Sequence, residues 1–253
     1  RPSPTDVVVS FLDVGQGDAT LLQHGAHAVL VDSGPPGGPI LARLREAGVR
    51  RLDVLVLTHA SADHDGGAAA VLRTLPVGLV LDGGEASERT PGLDAAAAIA
   101  RHAGVRRLAS TAGQVVRAGP LELRVLWPDR TREVGGGADP NLRATVLHVR
   151  DGPLDVLLSA DAESDVTRRL ALPPMDAMKV AHHGSADPGL PGLLVTLRPR
   201  VAVIPVGRNA YGHPHPATLA ALRAVPVVRR TDRDGTVRLR VEGGRLRVES
   251  ERG

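Results

Sequence analysis

Short apolar runs rich in β-branched residues recur along the chain: "DVVVSFLDV" (6–14), "AVLVDSG" (28–34), "LDVLVLTH" (52–59), "VGLVLDGG" (77–84), "LELRVLWP" (121–128), "ATVLHVR" (144–150), "LDVLLSAD" (154–161), "MDAMKVAHH" (175–183) and "RVAVIPVG" (200–207). Their length and composition predict strands. Two further runs, "GTVRLRVEG" and "GRLRVES", close the chain around Gly243–Gly244, where a hairpin turn is expected. Helical patterns fill the segments 38–47, 66–74, 93–103, 163–171, 189–197 and 216–224, most of them ending in glycine or proline. Strands with helices interspersed over 253 residues predict a mixed α/β chain, long enough for one sizeable core and not requiring two domains. The stretch "GGGADP" (135–140) reads as the one clear flexible loop. "HASAD" (59–63) returns as "HGSAD" (183–187), each after an apolar strand, which points weakly to two similar halves with His59 and His183 in matching places.

Composition changes this picture in three ways. Aromatic residues make up only 1% of the chain, as Phe11, Trp127 and Tyr211, so the core must be built from Val, Leu, Ala and Ile. The same shortage counts against an aromatic platform for stacking single-stranded nucleic acid. The net charge is only +3, and Lys179 is the single lysine among 31 basic residues. Such arginine usage is a coding bias in its plainest reading and a mild attraction to phosphates in its functional one. Cysteine is absent, which excludes disulfides, thiol nucleophiles and thiolate ligands, so a transition metal would have to rest on His, Asp or Glu. No stretch of about 18 apolar residues occurs, so no part of the chain is expected to insert in a membrane. The lead "RPSPTDVVVSFLDV" runs from prolines straight into a strand, and the chain is expected to be a domain cut from a longer protein.

Several strands end in a polar residue: Asp32, His59, Asp82, Asp161 and His182. Strand-end loops are where catalytic groups gather on a rigid sheet. In "THASADHDGG", His59, Asp63 and His64 lie within six residues, and Gly66 and Gly67 let the backbone pass close behind them. Alone, that cluster serves a capped helix start as well as a metal. It is not alone: Asp161, Asp32 and the pair His182–His183 make independent capping a poor account. Six of the ten histidines fall in three motifs, "HASADH", "HHGS" and "YGHPHP".

At these residues the chain resembles the metallo-β-lactamase superfamily, whose fuller signature is H-x-H-x-D-H. More narrowly, "FLDVGQGDAT", H-x-x-x-D-H, "SAD", "AHHGS", "YGHPHP" and "RTDRDG" stand in the order of the ComEC competence-protein family, across residues 11–235. The resemblance implies a four-layer αββα sandwich, a single domain over 1–253, with the active site at one edge of two sheets. It implies one or two divalent ions held by His59, Asp63, His64, Asp161 and His183, with the neighbouring His182 as the alternative to His183. Asp32 would support the metal loop, Asp18 in "GQGD" would face the site, and His213 or His215 would act as phosphate clamp or general acid. In that family the domain belongs to a multi-pass membrane protein that imports single-stranded DNA and is assigned to degrading the other strand. The implied function is a metal-dependent nuclease with DNA as substrate and the channel portion of the same polypeptide as partner, at the extracellular or periplasmic face. A hydrolase of another ester and a DNA-guiding module without catalysis are its rivals. Two positions depart from the pattern: Ser61 stands in place of the middle histidine, and Asn141 where a further histidine is expected. His148, in mid-strand, reads as a packed residue. Losing imidazoles while keeping carboxylates moves the expected metal from zinc toward manganese.

Overall fold

The computed structural model of the chain describes residues 4–84, 89–129 and 139–252. Six strands come first: β1 (Val8–Phe11), β2 (Thr20–His24), β3 (His27–Val31), β4 (Leu52–Leu57), β5 (Val77–Asp82) and β6 (Arg106–Ala109). Seven more follow: β7 (Val115–Ala118), β8 (Leu121–Trp127), β9 (Val146–Asp151), β10 (Leu154–Leu158), β11 (Ala177–Lys179), β12 (Val201–Ile204) and β13 (Val227–Arg230). The last two, β14 (Val237–Glu242) and β15 (Arg245–Ser250), return to the first group. Among the described residues these strands form one sheet in the order β15-β14-β1-β2-β3-β4-β5-β6 and a second in the order β13-β12-β11-β10-β9-β8-β7. Helices α1 (Ile40–Glu46), α2 (Ala62–Asp65), α3 (Ala68–Thr74) and α4 (Pro91–His102) follow strands of the first sheet. Helices α5 (Ser164–Thr167), α6 (Leu190–Leu197), α7 (Pro216–Ala221) and α8 (Thr231–Asp234) accompany the second.

Alternation along the strands explains the layering. β4 sends Val54 and Val56 between the sheets and Leu55 and Leu57 toward the helices, as a two-residue side-chain period requires. β12 does the same, with Val201 and Val203 inside and Ala202 and Ile204 outside. The dry interior between the sheets joins Val9, Phe11, Val29 and Val56 to Leu123, Leu147, Val156 and Val203. A second apolar layer packs Ile40, Leu44, Val71 and Leu93 on the first sheet, and a third packs Leu190, Leu194 and Leu222 on the second. The result is the αββα sandwich that the family resemblance implies. Strands β3 to β6 run parallel, as do β10 to β13, so each sheet gathers its C-terminal strand ends together. Among the described residues no helix is long and apolar enough to cross a membrane.

Departures from the sequence reading have local causes. The segment 163–171 is helical only over Ser164–Thr167, with Pro173 and Pro174 close behind. The run 175–183 is strand only over Ala177–Lys179, and its two histidines turn out of the sheet. The short strands β6, β7 and β13 are added; two of them carry paired arginines, Arg106–Arg107 and Arg229–Arg230, which mask a strand in an apolar scan. The hairpin at Gly243–Gly244 forms as expected, with φ of 56° and 74°, the turn that suits two antiparallel strands. Of "GGGADP", residues 135–138 lie outside the described residues, and Asp139 caps a 3-10 turn over Pro140–Arg143. Phe11 is fully buried between the sheets. Phe11→Ala is expected to lower unfolding free energy by about 3–5 kcal/mol, measured by denaturant titration. Val195→Ser, at a side chain 76% exposed on α6, is expected to change it by no more than about 0.5 kcal/mol.

Candidate metal centre

Loops leaving β3, β4, β10 and β11 meet at one edge of the sandwich. Asp32 (φ 59°), Ala160 (φ 49°), His182 (φ 48°) and His183 (φ 52°) all adopt the left-handed backbone region there. Strained backbone of this kind persists only where its surroundings over-determine it, and it collects at functional sites. Gly17 shows how tight the edge is. At φ 142° it passes so close to the Asp63 carbonyl and Pro35 that a Cβ would not fit, and this lets Asp18 N donate to Asp63 O (3.1 Å).

Four imidazoles at this edge are each anchored through Nδ1. His64 Nδ1–H donates to Asp32 Oδ2 (2.8 Å), and Asp32 also accepts from Thr58 N and Thr58 Oγ1 (both 2.8 Å). Thr58 Oγ1, with its proton directed at Asp32, accepts from His59 Nδ1–H (3.0 Å). His183 Nδ1–H donates to the Pro205 carbonyl (2.9 Å), and His182 Nδ1–H to Glu163 Oε1 (2.9 Å). Partners of this type fix the ring and leave Nε2 for a metal. All four Nε2 atoms face Asp161: His64 lies 3.2 Å from Oδ1, while His59, His182 and His183 lie 4.0, 3.8 and 3.9 Å from Oδ2. His59 Nε2, His64 Nε2 and Asp161 Oδ1 are buried without a well-formed hydrogen bond. Each such atom costs about 1–3 kcal/mol, and a cation among them removes that cost. Asp63 completes the group, its Oδ1 accepting from Ser61 Oγ (2.5 Å) and its Oδ2 lying 3.0 Å from His183 Nε2. Two overlapping donor sets, His59–His64–Asp161 and Asp63–His64–His183, share His64, whose Nε2 lies beside Asp161, and a third, Asp18–Asp32–His64, lies on the Nδ1 side of that ring. Imidazole nitrogens with carboxylate oxygens suit zinc, manganese or iron.

Charges at the edge tell the same story. Burial, and then the charge of His64, pushes His59 down to about 3, so this ring is a neutral donor. Burial opposes a proton on His64, but Asp161, Asp32 and Asp18 outweigh it and hold the group well above the usual histidine range. At His183 burial is likewise outweighed, by Asp18, Asp63 and Asp161, and the ring is pushed up to about 10. Without a metal, the carboxylates draw in positive charge as protons.

The structure therefore brings together His59, Asp63, His64, Asp161 and His183. His182 also turns its Nε2 toward Asp161, but only His183 falls in one of the tight donor sets. Asp18 does not face the cleft: it is 2% exposed and lies behind the rings, 3.4 Å from His183 Nδ1 and 3.8 Å from His64 Nδ1. Its carboxylate can position other groups and cannot touch a substrate. His213 and His215 part company, with buried Pro214 between them. His213 lines the cleft, its ring 5.4 Å from that of His182. His215 is exposed and caps α7, accepting from Ala217 N, outside the cleft. Asn141 lines the cleft where a histidine was expected, and His148 pairs with Asp155 (2.6 Å) as a packed residue. The echo of "HASAD" in "HGSAD" holds for the histidines, each following a central parallel strand of its own sheet. Its second aspartate, Asp187, instead accepts from Ser164 N and Gly189 N.

Sequence reasoning missed Lys179, Glu163 and Asn209. Lys179 offered a signal, a single lysine within an apolar strand of an arginine-rich chain. Asn209 shapes the cleft lip: its Nδ2 donates to the carbonyls of Gly207 and His213, and its Oδ1 accepts from Tyr211 N and His213 N. The cleft encloses about 410 Å³, with Gln16, Asn141, Tyr211 and His213 around the cluster. A larger groove of about 620 Å³ lies along α5 and α6; it reaches Glu163 and Asp187 but contains none of the converging imidazoles.

Residues 12–208 match the metallo-beta-lactamase superfamily. The chain is 31% identical over 259 residues to ComE operon protein 3 of Bacillus subtilis, covering 92% of this chain and 33% of that protein. It is 33% identical over 256 residues to Recombination protein 2 of Haemophilus influenzae, covering 96% and 30%. The chain thus spans about a third of the length of these curated relatives. The crystal structure of the metallo-beta-lactamase fold protein YhfI from Bacillus subtilis aligns with a TM-score of 0.60 at 12% identity, over 90% of this chain and 98% of that one.

The raised histidines set a pH dependence. Folding lifts His64 and His183 above the ordinary value of about 6.5, so their protons stabilise the metal-free fold fully below that pH. This stabilisation is lost as pH rises through the folded value, about 10 for His183. A bound cation replaces those protons. The thermal midpoint of metal-free protein is expected to fall as pH rises above neutrality, and added Mn2+ to raise it more at alkaline than at mildly acidic pH. Equal stabilisation at both would contradict this account.

Proposed function

The chain belongs to the metallo-beta-lactamase superfamily, and on that premise we propose that it is a metal-dependent phosphodiesterase acting on DNA, the hydrolytic part of a DNA-uptake protein. The carrying observation is the convergence of four anchored Nε2 atoms on Asp161 at the floor of an open cleft. The similarity to Recombination protein 2 and ComE operon protein 3 supports DNA as substrate and uptake as context. On this reading the channel portion of the same polypeptide is the partner, and the domain works at the extracellular or periplasmic face of the membrane.

His59, His64, His182, His183, Asp63 and Asp161 would hold one or two divalent ions. Manganese is favoured over zinc because Ser61 and Asn141 replace imidazoles while the carboxylates remain. Such an ion supplies Lewis acidity toward a phosphoryl oxygen and acidifies water. Asp63 orients the attacking water as a hydrogen-bond acceptor. Burial would raise its pKa, but the hydrogen bond to His183 and the charge of His64 hold it well below the usual range, so it stays ionised. His213 is a neutral ring at pH 7, since burial and the charges of His182 and His183 lower its pKa. That favours a clamp on a phosphoryl oxygen over an acid that protonates the leaving group. Tyr211 contributes a different contact. Phe11 and Trp127 are buried, whereas Tyr211 is 75% exposed at the lip, its ring 5.9 Å from that of His213. One base can stack there without being read, which fits cleavage directed at the backbone.

Hydrolysis of plasmid and oligonucleotide with added Mn2+ tests the proposal. Asp63→Ala is expected to lower the rate by at least about 100-fold, the upper end of what even outer partners of a metal site contribute; equal rates would refute it. Fast turnover of small esters with intact DNA would place the chain among the ester hydrolases of its superfamily. Tyr211→Ala is expected to raise KM for an oligonucleotide by about 10-fold, the effect of losing one stacked base, and more than it raises KM for a small phosphodiester.

A further inference from the structure

Lys179 ends β11 and is 2% exposed. Its Nζ lies 2.5 Å from Asp18 Oδ2 and 3.8 Å from Asp161 Oδ1, and it donates to the Ala160 carbonyl at 2.5 Å. A buried ion pair is weak support for a fold, because a packed apolar pair holds the same space without desolvating two charges. This pair has connections that an apolar pair would not have. The Ala160 carbonyl that accepts from Lys179 also accepts from His182 N (3.2 Å) and belongs to the left-handed residue immediately before Asp161. The other oxygen of Asp18 lies 3.4 Å from His183 Nδ1. Lys179 thus reaches Asp161 through one partner and His183 through the other.

The residue type fits that task. The chain has 31 basic residues, and this is the one lysine. An ammonium is a compact charge with three rotatable donors, able to face acceptors in diverging directions, whereas a guanidinium is a planar fork.

We infer that the Lys179–Asp18 pair is a positioning device for the metal donors, holding Asp161 and His183 in the orientation in which they ligate. Neither residue of the pair lines the cleft, so both act from behind the donors. The inference rests on the reading of this edge as a metal centre and is independent of the substrate.

The test uses the variant Lys179→Met with Asp18→Asn, which removes both charges and leaves no unpaired buried ion. Mn2+ affinity is measured by calorimetry beside the thermal midpoint. A folded double variant is expected to bind Mn2+ about 10–100-fold more weakly than wild type, the usual effect of losing outer partners. A pair serving the fold alone would lower the midpoint and leave affinity in the folded protein unchanged, and that result overturns the inference. Wild-type protein that binds no Mn2+ would instead sink the metal-centre reading. If the double variant does not fold, wild-type protein labelled with 15N-lysine decides the matter, because one lysine gives one Nζ resonance. Saturation with diamagnetic Zn2+ is expected to shift that resonance; an unmoved signal overturns the inference.

Discussion

Two sheets have to keep their parallel strand ends at one edge, because the cluster takes its donors from both. His59, Asp63 and His64 follow β4 of the first sheet, while Asp161, His182 and His183 follow β10 and β11 of the second. The apolar interior between the sheets supplies the adhesion, but burial of Val, Leu and Phe has no direction of its own. Direction comes from a few polar ties across the gap. Thr145 N donates to Thr58 O (2.9 Å), joining the approach to β9 to the end of β4, and Gly207 N donates to Gln16 Oε1 (3.1 Å). The hydrophobic layer sets how close the sheets lie; these ties hold which strand ends face each other.

Behind the donors lies an outer ring of acceptors, Asp32, Thr58, Pro205 and Glu163, and further back the Asp18 carboxylate pairs with the Lys179 ammonium. Buried polar groups reward full satisfaction and penalise partial satisfaction. Here satisfaction is complete at Nδ1 of all four rings and withheld at Nε2 of His59 and His64, while His183 Nε2 meets Asp63, and the anchoring turns every Nε2 toward Asp161. The left-handed backbone at Asp32, Ala160, His182 and His183 belongs to the same arrangement. Each of these residues either supplies a donor or orients one, so conformational strain and chemistry fall on the same few positions.

How much of this could be read from the sequence follows from how local each feature is. The central strands were legible because β12 is wholly apolar and β4 and β10 are apolar runs broken only by Asp53 and Asp155, both ending just before a polar residue. The edge strands β6 and β13 were not, because their strand character comes from pairing with a neighbour while two of the four residues in each are arginines. At the site, His59, Asp63, His64, Asp161 and the histidine pair carry compact motifs, and the resemblance to a known family gathered those motifs into one set. Asp18 was found by its glycine-flanked motif yet assigned the wrong side of the rings, since only the fold decides which nitrogen of His183 it meets. Lys179 depends on a partner more than a hundred residues away. His213 and His215 are two residues apart, and the turn at Pro214, not their spacing, sends one into the cleft and the other out to cap α7.

Asn209 gives the cleft lip a degree of autonomy. Its four side-chain hydrogen bonds all go to backbone atoms of Gly207, Tyr211 and His213, so the loop's shape is internally braced and owes little to the donors beneath it. The lip of the cleft and the imidazole cluster beneath it are thereby partly uncoupled in their support. A side chain on this loop can therefore change without altering its course, because the bracing runs through backbone atoms, while the imidazole cluster keeps its own separate anchors.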